Sequence, residues 1–139
     1  MSAPSPPRLD ARGLPEGYPF KPEYEVTPRE ARIQFESQRA VLVDVRTDGE
    51  FDTARITGAI LIPLHTLESR LEELEEFRDH QVIVHCHHGV RSMKAMLALR
   101  AHGFDRAMSM AGGIDLWSRD VDPRVPRYER DGAVCRIVS

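Results

Sequence analysis

The residues best suited to chemistry lie in one run, Val82-Ile83-Val84-His85-Cys86-His87-His88-Gly89-Val90-Arg91-Ser92. A cysteine follows directly on an apolar, β-branched stretch, and a helical pattern resumes about four residues later. Ligands of parallel sheets bind at the carboxyl ends of strands, which puts Cys86 at the mouth of a site. Gly89 lets a short connection turn so that successive N–H groups face one centre. The same N–H groups open a helix and favour an anion there, and Arg91 adds a full positive charge. The expected chemistry is nucleophilic sulfur, with a thiolate or persulfide anion held in a cradle of amides. Favouring a thiolate by about two pH units takes roughly 2.7 kcal/mol. A helix terminus supplies roughly 0.3–1 kcal/mol, so direct N–H bonds to the sulfur must supply much of the rest.

Two plainer readings compete. Cys86 could be a small buried hydrophobe at a strand end. The His85 to His88 run could bind a metal, but four consecutive residues cannot converge on one ion, and no C-x-x-C supports it. Around the cysteine, Arg91 is expected to orient the loop and help hold an anionic donor. His87 and His88 face the donor as charged or neutral hydrogen-bonding groups, or stand as rim histidines without an essential role. Gly89 and Val90 complete the loop. Ser92 either bonds the sulfur or satisfies the helix start.

The elements that must position this loop are legible as alternating patterns. Thr27-Pro28-Arg29-Glu30 is a helix start with a capping box, and that helix should end near Arg39. Four apolar runs read as strands: Val41–Val45, Ala59–Ile62, Val82–His85 and Ala107–Met110. Leu64, Leu67, Leu71, Leu74 and Phe77 share one helical face. Val90, Met93, Met96, Leu97, Ala101 and Phe104 share another, with Gly103 as the C-cap. Strands alternating with helices predict an α/β fold with a mainly parallel sheet covered on both faces. Asp44 and Arg46 end a central strand beside the same mouth, with a structural ion pair between Arg46 and Glu50 expected. Gly112-Gly113 should let the following helix pack closely against the loop, and Trp117 should sit in the core or at its rim.

Residues 1–23 hold six of the ten prolines and read as a flexible arm, with the aromatics of Tyr18 to Tyr24 available for packing. Residues 24–120 form the expected domain, and 121–139 an extended tail packing on it. Hydrophobic residues at 41% and charged residues at 29% mark a globular chain, not a disordered or membrane one. A formal charge of −3 without a basic block gives nucleic-acid binding no electrostatic support. No apolar run suits a membrane span, and Met-Ser-Ala-Pro-Ser-Pro-Pro lacks the apolar core of a signal peptide, so the cytoplasm is the expected location. Two cysteines make no disulfide framework, and in a reducing compartment both Cys86 and Cys135 are free thiols. Cys135, in the tail, could relay or trap sulfur through a disulfide with Cys86.

Taken in order, Leu42-Val43-Asp44-Val45-Arg46, Glu50-Phe51, Ile56-Thr57-Gly58-Ala59-Ile60-Leu61-Ile62-Pro63, Cys86 to Ser92, and Ala111-Gly112-Gly113-Ile114-Asp115-Leu116-Trp117 resemble the single-domain form of the rhodanese-homology family over about residues 24–120. The resemblance implies a five-stranded, mainly parallel sheet flanked by helices on both faces. It also implies double displacement without a cofactor or metal: Cys86 takes sulfane sulfur from a donor such as thiosulfate and passes it to cyanide, a thiol or a sulfur-accepting protein. It makes Asp44 and Arg46 framework residues near the site. The sequence departs from the family at Ala54-Arg55, where Gly-His is common, which puts the local turn in question. Related cell-cycle phosphatases carry seven residues from cysteine to arginine, whereas Cys86 through Arg91 is six. A sulfur-relay module, a binding domain and a thiolate phosphatase or arsenate reductase stand as the alternatives.

Overall fold

The apolar runs at 41–45 and 82–85 become adjacent strands whose successive side chains feed opposite cores. A computed structural model describes residues 7–139. Strands β1 (Glu25–Val26), β2 (Ala40–Asp44), β3 (Ile60–Leu61), β4 (Gln81–His85) and β5 (Ala107–Met110) pair in the order β1-β5-β4-β2-β3, all parallel. Leu42 and Ile83 point to one face, where helices α1 (Pro28–Glu36) and α4 (Gly113–Asp120) bring Ala31, Ile114 and Trp117. Val43, Val82 and Val84 point to the other, against Ala95, Met96 and Leu99 of helix α3 (Val90–Ala101). The expected five-stranded α/β sheet is present. Its β1 was not among the four apolar runs, because two residues carry no periodicity.

Local rules set most boundaries. Thr27 and Glu30 form the capping box of α1, with Pro28 in the first turn. The helix stops at Glu36, short of Arg39, because the Ser37 hydroxyl bonds back to the Ile33 carbonyl and Gln38 turns left-handed at φ 61°. The leucine stripe is not an α-helix. It forms two 3-10 segments, Leu64–Thr66 and Glu68–Phe77, with a break at Arg70. A 3-10 turn repeats every three residues. Leu64 and Leu67 therefore align before the break, and Leu71, Leu74 and Phe77 after it. The face expected of α3 is also rotated: Ser92, Ala95, Met96 and Leu99 are buried, while Val90 and Leu97 are exposed.

Both ends of the chain carry local structure that their composition does not specify. Six residues of the arm lie outside the described residues. The described part is anchored by Leu14, fully buried against Ala111 and Leu116, with Tyr18 and Phe20 beside them. Asp10 caps the turn through the Leu14 and Arg12 N–H groups, and the Tyr18 hydroxyl donates to Glu25. Proline density signalled extended backbone but not whether that backbone had a surface to lie on. The tail is a hairpin, not an extended strand: β6 (Tyr128–Asp131) pairs antiparallel with β7 (Val134–Ile137) around Gly132-Ala133. Gly132, the first of the two turn residues, takes φ 59°, the position where a tight hairpin turn favours glycine. Among the described residues no helix is long and apolar enough to cross a membrane.

Leu14→Ala is expected to destabilise the fold by roughly 2–5 kcal/mol, read by urea unfolding, because the cavity opens in a closed cluster. An arm lying free would leave the unfolding midpoint unchanged.

Candidate active site

Cys86 follows β4 immediately and is almost wholly buried. The Gly89 N–H lies 3.1 Å from Sγ and the Ser92 N–H 3.3 Å, both aimed at the sulfur. The Ser92 hydroxyl is 3.4 Å from Sγ and 2.7 Å from the Ser109 hydroxyl at the end of β5. Ser92 donates its N–H to the sulfur from the first turn of α3, and its hydroxyl bonds back to the Gly89 carbonyl at 3.2 Å. Gly89 closes the turn at φ 111°, a conformation that side-chain-bearing residues rarely adopt.

The loop is held from behind by α4. The Ile114 N–H donates to the Cys86 carbonyl at 2.8 Å and the Asp115 N–H to the His87 carbonyl at 3.2 Å. With those carbonyls drawn outward, the following N–H groups turn inward. This approach needs Gly113, where a Cβ would run into the carbonyls of Cys86 and His87.

The remaining charge converges on Glu50, whose side chain is fully buried. Its place comes from a local rule: Thr47 caps the short helix α2 (Asp48–Thr53), and Glu50 returns the capping-box bond. The carboxylate then accepts both terminal nitrogens of Arg91, at 2.6 and 2.9 Å. It also accepts the Tyr128 hydroxyl at 2.6 Å and Arg130 at 2.9 Å. Burial alone would raise its pKa, but the bonds from Arg91 and Tyr128 outweigh that and hold it well below the usual carboxylate range. This pair ties the first turn of α3 to α2.

The expected Arg46–Glu50 ion pair is not formed. Arg46 is fully buried and pairs with Asp44 at 2.7 Å, reaching only the main-chain carbonyl of Glu50. It also donates to the Ala54 carbonyl at 2.7 Å, so β2 and the end of α2 are tied together. Asp44 stands two residues away on the same strand end, while the Glu50 carboxylate is already claimed by Arg91, Arg130 and Tyr128. The unusual Ala54-Arg55 turn is accommodated, with Ala54 capping α2 and Arg55 stacked over Phe51.

His87 is clamped: its ring stacks on Tyr128 with centroids 4.1 Å apart, its Nε2 lies 3.1 Å from the Tyr128 carbonyl, and His88 lies on its other side. Burial, with His88 nearby, pushes its pKa down to about 4, so it is neutral at pH 7 and donates from Nε2. His88 and Val90 are exposed at the rim. A cavity of about 190 Å³ lies over the sulfur, lined by Cys86, His87, His88, Val90, Arg91 and Arg130. Sequence reasoning missed the hub role of Glu50 and the contributions of Tyr128 and Arg130. Thr47-x-x-Glu50 and the Asp131-Gly132 turn were the available signals, but neither says what lies opposite in space. Trp117 is buried in the core beside α1. Cys135 is half-buried and faces the same core from the hairpin.

A parallel sheet in this order, with a cysteine loop closing on its own amides, defines a rhodanese-type fold and site. The chain belongs to the Rhodanese-like domain family, whose profile matches residues 27–120. It is 36% identical over 99 residues to the thiosulfate sulfurtransferase GlpE of Glaesserella parasuis, covering 71% of this chain and 90% of that protein. It is also 36% identical over 104 residues to the probable adenylyltransferase/sulfurtransferase MoeZ of Mycobacterium tuberculosis, covering 74% of this chain but only 26% of that one. Among solved structures, a rhodanese-related protein of Thermoplasma volcanium superposes with a TM-score of 0.64 at 26% identity, covering 70% of this chain and 93% of that one. Human single-domain sulfurtransferase TSTD1 gives 0.60 at 28% identity, covering 68% and 95%.

Two substitutions check the supports. Gly113→Ala should cost roughly 1–3 kcal/mol from its positive φ alone, and more from the clash with the loop, read by thermal unfolding. Glu50→Gln should cost about 3 kcal/mol at pH 7, because Arg91 and Arg130 lose their carboxylate. Folding lowers the Glu50 pKa, so its stabilisation is complete above the unfolded value of 4.5 and fades as pH falls toward the folded one. The stability gap between wild type and Glu50→Gln, from urea titrations, should therefore shrink below about pH 4.5; a constant gap would contradict the ionised pair.

Proposed function

We propose that this chain is a sulfurtransferase working through a Cys86 persulfide. The carrying observation is the pair of N–H groups of Gly89 and Ser92 converging on a single buried sulfur. Such donors stabilise an anion on that sulfur without reorganising. The Cys86 thiolate attacks the outer sulfur of thiosulfate. A new S–S bond forms at Sγ, the bond to the sulfonate breaks, and its electron pair leaves with sulfite. The persulfide anion then yields its terminal sulfur to cyanide, forming thiocyanate, or to a thiol, and Cys86 is again a thiolate. Likeness to GlpE supports thiosulfate as the donor. Arg91, His87, His88, Gly89, Val90 and Ser92 form the donor-facing loop, and Asp44 and Arg46 hold the strand end behind it. The proposed setting is the cytoplasm, where both thiols stay reduced.

A relay reading, with delivery to a protein acceptor, is favoured by the likeness to MoeZ and by Val90, 69% exposed beside the cysteine. The two readings share the persulfide and differ in acceptor.

Intact mass spectrometry after thiosulfate treatment should show a gain of one sulfur, removed by cyanide with release of thiocyanate and absent in Cys86→Ser. No gain with thiosulfate or polysulfide, or turnover of an aryl phosphate or arsenate instead, would overturn the reading. A stable persulfide discharged slowly by cyanide and thiols but rapidly by a protein thiol would select the relay.

A further inference from the structure

The family match ends at residue 120, yet the hairpin beyond it supplies part of the wall around Cys86. Its register puts Tyr128 and Arg130 on one face and Glu129 and Arg136 on the other. The first face lies against the site, bonding Glu50 through the Tyr128 hydroxyl and the Arg130 Nη1 and accepting His87 on the Tyr128 carbonyl. The second face pairs Glu129 with Arg136 in solvent.

The cations at the mouth are not equivalent. Arg91 spends both terminal nitrogens on Glu50. Arg127 spends its Nε and Nη2 on Asp115. His87 is neutral and committed to Tyr128. Arg130 spends only Nη1; its Nη2 and Nε make no hydrogen bond among the described residues, and its side chain is 36% exposed. It also lines both the cavity over Cys86 and a larger cleft of about 580 Å³ that opens outward between His88 and the hairpin. Glu50 cancels one of its two arginine partners, so the Arg91–Glu50–Arg130 cluster carries a net positive charge. The inner cavity of about 190 Å³ leaves room for a small oxyanion beside the sulfur.

We infer that Arg130 is a donor-binding residue, its free guanidinium edge holding the sulfonate oxygens of thiosulfate or another small thiosulfonate while the outer sulfur meets Cys86. The inference rests on the sulfurtransferase reading above. A planar guanidinium offers paired N–H groups to such oxygens, and charge-assisted bonds of this kind are strong where water is partly excluded. The hairpin thereby adds a cationic donor-binding group to the loop whose amides hold the sulfur.

The test separates the two half-reactions. Loading of Cys86 is followed against thiosulfate concentration, and discharge of preformed persulfide is followed with 2-mercaptoethanol. Arg130→Gln should raise the KM for thiosulfate about tenfold while discharge stays within about twofold. Arg130→Lys should recover part of the loss, and Arg136→Gln, an equal charge change on the outer face, should leave KM unchanged. An unaltered KM in Arg130→Gln, an equal rise in Arg136→Gln, or a parallel fall in loading and discharge would overturn the inference and leave the persulfide chemistry standing. Failure of the wild-type protein to load sulfur from thiosulfate would overturn both.

Discussion

Two backbone N–H groups aimed at one sulfur atom set the geometry around them. For the Ser92 N–H to reach Sγ, the first turn of α3 must face the strand ends, and this rotation decides which side chains that helix buries. Ser92, Ala95, Met96 and Leu99 go inward, and Val90 is turned to solvent beside the cysteine. The other donor requires the positive φ of Gly89. The outward pull on the loop carbonyls requires α4 to start so close that only a glycine fits at position 113. Ring closure, helix rotation and helix packing are thus one constraint seen from three places.

Buried charge supplies the second layer. A carboxylate without water is costly unless each oxygen is bonded, and Glu50 meets that condition by combining a local bond with distant ones. Thr47 fixes the carboxylate within one turn of chain; Arg91, Tyr128 and Arg130 arrive from 41, 78 and 80 residues away. Arg46 does the same at the strand end, fully enclosed, donating to the Asp44 carboxylate and to the Ala54 and Glu50 carbonyls. The two clusters share Tyr128, whose hydroxyl lies 3.1 Å from Arg46 and 2.6 Å from Glu50, so the hairpin closes both at once.

The two ends of the chain act as clasps around the same mouth. On one side Leu14 and Tyr18 hold the turn before α4, with the Tyr18 hydroxyl accepting the Gly112 N–H. On the other the hairpin stacks Tyr128 on His87. Both segments lie outside the family match, and both reach the segment that backs the cysteine loop, Tyr18 at Gly112 and Arg127, just before β6, at Asp115. Both ends of the chain therefore add contacts at the rim of the site and none at the sulfur itself.

The sequence by itself determined whatever short-range geometry dictates. The capping boxes at Thr27 and Thr47 follow from spacing of three residues, the two long strands from continuous apolar runs, and the six-residue loop from Cys86, Gly89 and Arg91. Tertiary structure alone decided the matters in which distant residues compete for one partner. Arg46 took Asp44 because Glu50 was claimed by arginines from elsewhere in the chain. The leucine stripe became 3-10 turns broken at Arg70, inside the four-residue step from Leu67 to Leu71 that separates its three-residue spacings. Leu14 of the proline-rich arm found its place against Ala111 and Leu116, and the tail, expected to pack, was set on Glu50 through Tyr128, surfaces invisible along the chain. Backbone hydrogen bonds and side-chain periodicity act over a few residues and can be read in order; burial and charge pairing act across space and exist only once the chain has folded.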